Sequence, residues 1–206
     1  MAILSNRMSK GSPEGPKHNS GRIHPTLDQP KRDTALTQDP GFRPEESGPR
    51  ALRDALGRYA SGVAIVTCAT DTGPLGMTIN SFASLSLEPA LVLWSPAKAS
   101  SRHAPFVAAP HFAIHVLGAH QMALATSFVS QGAAFDGLDW TTSAAGVPLL
   151  ADSLVRFECD LHTQHDAGDH TLIIGQVRHV LPGAGEPLIF ATGRFGGIGP
   201  LDPSAP

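Results

Sequence analysis

Residues 76 to 102, GMTINSFASLSLEPALVLWSPAKASSR, combine many hydroxyl-bearing side chains with a strand-like apolar run. The run LVLW is typical of a buried strand, but the hydroxyls are too numerous for an ordinary core strand. The stretch ends in two cations, Lys98 and Arg102, on either side of Ser100 and Ser101. Backbone amides, hydroxyls and a cation are groups that can hold a planar heterocycle with a phosphate tail. These residues alone also allow a plainer interpretation, in which the serines lie in turns and both cations are solvated.

His170, in the run AGDHTLIIG, is the second candidate for chemistry. It lies where a turn leads into a strand-like segment, and Asp166 and Asp169 flank it. A histidine at such a position can line a pocket, or it can be a surface or capping residue. Periodicity does not distinguish the two interpretations.

Other chemistries lack their motifs. The run GRFGGIG near the C-terminus does not fit G-x-G-x-x-G and has no helix after it, and the chain has neither a phosphate-binding P-loop nor a G-x-S-x-G nucleophile elbow. The closest histidine pairs are His111/His115 and His162/His165. On a strand, residues three apart point to opposite faces and residues four apart span about 13 Å, so neither pair chelates well. We therefore expect no metal site.

The elements that must position these residues are mainly strands. Six strands are predicted, in the runs VAIVTCAT, ALVLW, HFAIHVL, SLVRFECDLHTQH, HTLIIGQVRHVL and PLIF. The spacing of Leu52, Ala55, Leu56 and Tyr59 predicts an amphipathic helix that Gly62 closes. A second helix is predicted over residues 119–130, a turn over 166–169, and irregular structure over 131–152. Many short strands with few helices favour a small, mostly antiparallel barrel over a doubly wound sheet.

Composition bounds the class of protein. A chain of 206 residues with 41% hydrophobic residues suggests one domain with a real core. The net charge of −3 gives no overall basic surface for nucleic acid. Cys68 and Cys159 lie in separate apolar runs, which predicts buried free thiols in a reducing compartment. No apolar run approaches a membrane span or a secretory signal, so we expect a cytoplasmic protein that binds no membrane.

The first 50 residues differ from the rest of the chain. They contain eight of the 15 lysines and arginines, seven prolines and almost no periodic apolar pattern. Such a segment cannot bury enough surface to offset its ordering entropy. We therefore expect a flexible, disordered N-terminal extension over residues 1–49 and a folded domain over residues 50–200.

Nine segments, in order, resemble the flavin reductase family, the reductase components of two-component flavin-dependent monooxygenases. They are LGRYASGVAIVT, GMTINSFASLSLEPALVL, KASSR, HFAIHVLGAHQMALATSF, FDGLDW, GVPLL, FECDL, AGDHTLIIGQV and PLIFATGRFGGI. Together they cover almost all of the chain from residue 50 to residue 199. The segments GMTINSFASLSLEP and GDHTLIIG are the most specific of them.

The resemblance implies a fold and an activity. The fold is a flavin-binding split β-barrel, Greek-key-like and similar to that of pyridoxamine-phosphate oxidases, which works as a homodimer with the flavin near the interface. The activity is oxidation of NADH or NADPH with hydride transfer to FMN or FAD, followed by release of reduced flavin to a partner oxygenase. Neither the choice of flavin nor the choice of nicotinamide follows from the residues.

The resemblance also implies site residues. The residues implied to line the flavin ring are Pro74, Leu75, Gly76, Met77, Thr78, Asn80 and Ser81, with Ser95, Pro96 and Ala97 from the next strand. Ser101 and Arg102 would meet the phosphate, with Lys98 and Ser100 close by. His170 would lie at the nicotinamide pocket, and Arg194 and Phe195 would close the site.

Two alternatives remain at this point. The chain could be a split-barrel protein that holds flavin or haem as a carrier or sensor without turning over NAD(P)H. It could instead use its basic N-terminal extension to bind an acidic partner, which would make binding dependent on salt.

Overall fold

The computed structural model describes residues 41–199, in which strands outnumber helices, as the sequence predicts. The helices are α1 (Pro44–Leu56), α2 (His103–Ala108) and α3 (Met122–Ser130), the last preceded by a 3₁₀ turn (Ala119–Gln121). The strands are β1 (Ser61–Gly62), β2 (Ala64–Thr70), β3 (Gly73–Ile79), β4 (Ala83–Leu87), β5 (Ala90–Trp94), β6 (His111–Val116), β7 (Trp140–Thr142), β8 (Pro148–Leu150), β9 (Val155–Ala167), β10 (His170–Pro182), β11 (Ile189–Ala191) and β12 (Arg194–Gly196).

Seven strands form one antiparallel sheet, in the order β3-β2-β6-β9-β10-β5-β4. A three-stranded sheet, β1-β11-β12, and a two-stranded ribbon, β7-β8, complete the fold. The order places β5, which leads into the loop 95–102, directly beside β10, which begins at His170. The two stretches that the sequence singles out are therefore neighbours in space.

The apolar run of β2 is continuous because both of its faces are covered. Ala64, Val66 and Cys68 belong to one buried cluster, which also holds Trp94. Val63 and Ile65 belong to a second cluster, which α3 joins through Phe128. Residues alternate between the two faces of a strand, so a strand buried on both sides reads as unbroken hydrophobic sequence.

Both cysteines are buried and free, as predicted. Burial raises the pKa of Cys68 and of Cys159 to about 12, so both thiols stay protonated. Within residues 41–199, no helix has both the length and the apolar composition needed to cross a bilayer.

A helix does lie at the start of the domain, as predicted, but it ends before Gly62. α1 begins at Pro44, is interrupted by a non-helical residue at Gly48, and ends at Leu56. The backbone N–H of Gly57 donates to Arg53 O at 2.8 Å and closes the last turn. Gly62 instead lies in β1 and pairs with Ile189. The region 131–152, predicted to be irregular, contains the ribbon β7-β8.

The other predicted elements are confirmed. The helix expected over 119–130 is the 3₁₀ turn followed by α3, and each of the six predicted strands corresponds to a strand of the structure. The predicted turn between β9 and β10 consists of Gly168 and Asp169. Of the N-terminal extension expected over residues 1–49, residues 1–40 lie outside the described part of the chain.

Candidate functional site

Two backbone segments meet at one end of the large sheet. The ladder between β5 and β10 continues past its last pair, Ile173 with Trp94, into the loop that follows β5. Thr171 N donates to Pro96 O at 3.1 Å. Beyond it, Ala97 and His170 form an isolated antiparallel bridge, and Lys98 N donates to Asp169 O at 2.9 Å. His170 thus lies alongside the loop 95–102, which carries seven of the predicted flavin-binding positions.

The imidazole of His170 is oriented by its neighbour in the chain. Nδ1 of His170 lies 2.7 Å from Oδ1 of Asp169, a distance at which Nδ1–H donates to the carboxylate. This hydrogen bond lowers the pKa of the exposed Asp169 carboxyl. Because Nδ1 donates to Asp169, the other ring nitrogen, Nε2, is on the side of the imidazole away from that carboxylate.

The hydroxyls of the stretch after β2 hold elements together. Thr78 Oγ1 donates to Ala125 O at 2.7 Å and ties β3 to α3. Ser81 Oγ accepts a bond from Ser95 N at 3.1 Å, which links the end of β3 to the end of β5. Met77 is buried in the core cluster of Trp94. The side chains of Met77 and Thr78 therefore face packing partners, and a ligand at this strand would meet its backbone.

Arg102 lies across the outer edge of β3 and the end of α3. Its Nη1 donates to Gly76 O at 3.1 Å and to Phe128 O at 2.6 Å, and its Nη2 donates to Val129 O at 2.7 Å. Burial lowers the pKa of the guanidinium from its ordinary value. These bonds use three of the five N–H groups of the guanidinium. Arg102 therefore has a packing role that the sequence did not suggest.

The remaining predicted positions fall into three groups. Lys98 and Ser100 form hydrogen bonds within the site. Lys98 donates to Asp166 and to Gly168 O, and Ser100 Oγ accepts the N–H of Arg102 at 3.2 Å. Ser101 is exposed, whereas Pro74, Leu75 and Asn80 are half-buried along β3 and just after it. Arg194 and Phe195 lie on β12, in the small sheet, where Phe195 packs against Phe190.

Two further residues shape the site and were missed from the sequence. His103 Nε2 lies 2.8 Å from Thr171 Oγ1, which ties the first residue of α2 to the strand that follows His170. Gly132 O accepts the N–H of Gly76 at 2.8 Å, and a Cβ on Gly132 would lie 2.8 Å from the Arg102 side chain. These partners are separated in sequence by 68 and 56 residues, so no local pattern could have revealed them.

The arrangement fits an aromatic heterocycle with an anionic tail. The backbone of residues 95–97 runs beside His170. The exposed residue Ser101 precedes Arg102, whose two further N–H groups could meet an anion. Among residues 41–199, no three histidine, cysteine, aspartate or glutamate side chains cluster closely enough to hold a metal ion.

Comparisons with known proteins identify relatives that cover most of the described residues. Residues 56–199 match the family model described as "Flavin reductase like domain". The FMN reductase (NADH) SmoA of Agrobacterium fabrum is 53% identical over 155 residues, which are 75% of this chain and 89% of that protein. The reductase subunit HsaB of a flavin-dependent monooxygenase from Rhodococcus jostii is 38% identical over 167 residues, 80% of this chain and 86% of that protein.

Solved structures agree with the sequence relatives. The NADH:FAD oxidoreductase SgcE6 of Streptomyces globisporus C-1027 superposes with a TM-score of 0.73 at 35% identity, covering 81% of this chain and 95% of that chain. A second structure of SgcE6, in complex with NAD and FAD fragments, superposes with a TM-score of 0.70 over 81% of this chain and 99% of that one.

Proposed function

This chain belongs to the flavin reductase family and has its split-barrel fold, and we propose that it oxidises NADH, reduces FMN or FAD by hydride transfer, and supplies the reduced flavin to a separate monooxygenase. The observation that carries the proposal is the contact between the two halves of the site. The loop 95–98 and the residues 169–171 are joined by hydrogen bonds of 2.9 and 3.1 Å and a bridge at His170.

The flavin would lie along the loop 95–102 and the strand β3. In this proposal the backbone at 74–78, with Asn80 and Ser81, lines one side of the isoalloxazine ring, and residues 95–97 line another. Ser101 and Arg102 receive the phosphate, with Ser100 behind them. Support comes from the exposure of Ser101 and from the N–H groups of Arg102 beyond its three carbonyl bonds. Arg194 and Phe195 would close the site from the small sheet.

His170 would act on the nicotinamide. A bound flavin supplies the hydride acceptor, and the protein has to hold the nicotinamide C4 about 3–3.5 Å from it. The imidazole, oriented by Asp169, can hydrogen-bond the nicotinamide carboxamide and set this alignment without moving a proton itself. Because both rings belong to bound molecules, the role of the chain is to align them and to exclude water and oxygen.

The proposal includes a homodimer. β4 is an edge strand of the seven-stranded sheet, and its Leu85 and Leu87 are 46% and 98% exposed. An uncovered sheet edge with exposed leucines is a site for pairing with another chain. Leu52 and Leu56 on α1, and Tyr59 just after it, are also exposed. A second copy that covers β4 would sit next to β5 and the flavin loop that follows it.

The cellular setting is proposed on the same basis. The partner would be an oxygenase, as the names of HsaB and related reductase subunits state for those proteins. The location would be cytoplasmic, where buried free thiols such as Cys68 and Cys159 stay reduced. Residues 1–40 would be dispensable for the chemistry, since the family model begins only at residue 56.

A steady-state assay tests the proposal. NADH and NADPH are each combined with FMN, FAD and riboflavin, and nicotinamide oxidation is followed for the full chain and for a chain beginning at Gly41. We expect flavin-dependent oxidation at the same rate for both chains. Tight flavin binding without oxidation of either nicotinamide would instead support the carrier or sensor. Neither binding nor turnover would contradict both.

A further inference from the structure

Lys98 holds the turn that carries His170. Its Nζ donates to Oδ1 of Asp166 at 2.6 Å and to the backbone O of Gly168 at 2.7 Å. Its backbone N–H donates to Asp169 O at 2.9 Å. A lysine ammonium has three N–H donors, so two of the three are committed to the β9–β10 turn. Its charge is paired with a carboxylate, which weakens any attraction it could exert on a phosphate.

The segment that Lys98 contacts has little packing of its own. Residues 164–169, the last part of β9 and the turn, are all exposed. The turn has only two residues, and Gly168, at φ +65°, occupies the position where a type II′ hairpin turn takes glycine. A hairpin end with few buried contacts opens at low free-energy cost unless other groups restrain it.

A second restraint lies on the other side of His170. His103, the first residue of α2, contacts the Thr171 hydroxyl at 2.8 Å. His170 is therefore bracketed by Lys98 before it and by His103 after it. Both restraints come from the same short segment, 98–103, which is the second part of the loop 95–102 and the first residue of α2. A shift of this segment would therefore also move the imidazole of His170.

We propose that Lys98 is a positioning residue for the nicotinamide step: it clamps the β9–β10 turn and thereby sets His170 against bound NADH, and it does not bind the flavin phosphate. The inference rests on the proposed function, because it assumes that His170 meets the nicotinamide. It differs from the role that family resemblance implies for Lys98. An exposed ion pair adds little to global stability, so the consequence of losing it is local misalignment.

The test compares Lys98→Met, Asp166→Ala and the double variant, with riboflavin and FMN as acceptors. Riboflavin lacks the phosphate. For Lys98→Met we expect kcat/KM for NADH to fall roughly three- to tenfold with both acceptors, as the loss of one or two weak bonds implies. Affinities for riboflavin and FMN should each stay within about twofold. Lys98→Arg should restore most of the rate, since a guanidinium can reach both acceptors.

Asp166 makes the test specific. Asp166→Ala should reproduce part of the loss, and the double variant should be no worse than Lys98→Met, because residues that act through one contact are not additive. Asp54→Ala, which removes the exposed pair with Arg50 on α1, is the matched control and should change nothing. Two results would overturn the proposed role of Lys98. One is additive losses of kcat/KM in the double variant, and the other is a loss of FMN affinity of about tenfold with riboflavin affinity unchanged.

A readout independent of turnover separates this inference from the proposed function. Amide hydrogen exchange at Thr171, whose N–H donates to Pro96 O, should be faster in Lys98→Met than in the unmodified chain. Unchanged exchange would overturn the clamp even if NADH is oxidised normally. Absence of NADH oxidation by the unmodified chain would overturn the proposed function, and the exchange result would still decide whether Lys98 restrains the turn.

Discussion

His115, the next-to-last residue of β6, has both ring nitrogens engaged. Nδ1 lies 3.3 Å from Ile65 O, and Nε2 accepts the N–H of Leu150 at 3.1 Å. This pattern requires the neutral ring with the proton on Nδ1. Burial, with a contribution from Arg156, lowers the pKa of His115 to about 3. The side chain therefore anchors the ribbon β7-β8 to the large sheet only while it is uncharged.

His115 should make the protein less stable in mild acid. The unfolded chain takes up a proton near the ordinary histidine pKa of about 6.5, while the folded chain does not until about pH 3. Stability is therefore lost as the pH falls through this interval, by about 2 kcal/mol at pH 5. Urea unfolding of the unmodified chain and of His115→Gln at pH 7.5 and pH 5 measures it. The variant should lose about 2 kcal/mol less between the two pH values, and an equal loss would contradict the assignment.

Arg102 should affect both stability and flavin binding. Arg102→Ala leaves Phe128 O and Val129 O without their donor, which should lower the free energy of unfolding by about 1.5–3 kcal/mol. If Arg102 also contacts the phosphate, the substitution should weaken binding of FMN more than binding of riboflavin. Denaturant unfolding and fluorescence titration with the two flavins measure these effects separately.

Arg102→Lys is the matched variant for this prediction. A lysine keeps the charge, but its donors all lie on one nitrogen and cannot reproduce the bonds that Nη1 and Nη2 make to three carbonyls. The variant should therefore be less stable while retaining part of the preference for FMN. If the affinities for riboflavin and FMN fall equally in Arg102→Ala, Arg102 acts only through the stability of the fold.

At the scale of elements, the packing of β3 against α3 depends on Gly76. A Cβ on Gly76 would lie 2.4 Å from the ring of Phe128, well inside van der Waals contact. We expect Gly76→Ala to lower the free energy of unfolding by about 1–3 kcal/mol, and Phe128→Leu to relieve part of that cost. Gly62→Ala on β1 is the control, because a Cβ there meets nothing within 4 Å. Equal effects of the two alanines would show that the close approach of β3 to α3 does not matter.

Sequence patterns were reliable where an element is long and buried on both faces. The run around Val66 predicted its strand correctly because alternating residues enter two separate clusters. Patterns failed where a local signal has two interpretations. Gly57 and Gly62 both follow the helical run, and only backbone hydrogen bonding shows that the helix ends at the first. β7 and β8, three residues each, are too short to produce a pattern.

The sequence predicted the two segments of the site but not the contact between them. The loop ending at Arg102 and the turn before His170 each carry a recognisable motif, but their contact depends on the pairing of β5 with β10. The actual contacts of the two cations also depend on distant partners. Lys98 meets Asp166, and Arg102 meets the end of α3, contacts that no spacing along the chain reveals.

At the scale of the whole molecule, the exposed edge at β4 should determine the oligomeric state. Leu87 is 98% exposed on this edge strand. If a second copy covers it, Leu87→Asp should convert the dimer into a monomer, because a buried unpaired carboxylate is costly. Sedimentation velocity measures the mass. Met122→Asp, at another exposed apolar residue, is the control and should remain dimeric. A monomeric unmodified chain, or a Leu87→Asp dimer, would contradict the interface.

The turn at His170 and the loop 95–102 are proposed to form one site for hydride transfer. The test is to mix the flavin-loaded protein with NADH in an anaerobic stopped flow and to follow the loss of oxidised-flavin absorbance. The unmodified chain should reduce its flavin rapidly. His170→Ala should bind flavin within a few fold and reduce it roughly 10- to 100-fold more slowly, the effect of one lost positioning bond. Failure of the unmodified chain to reduce its flavin would contradict the shared site. So would a His170→Ala variant that binds flavin poorly but reduces the bound flavin at the normal rate.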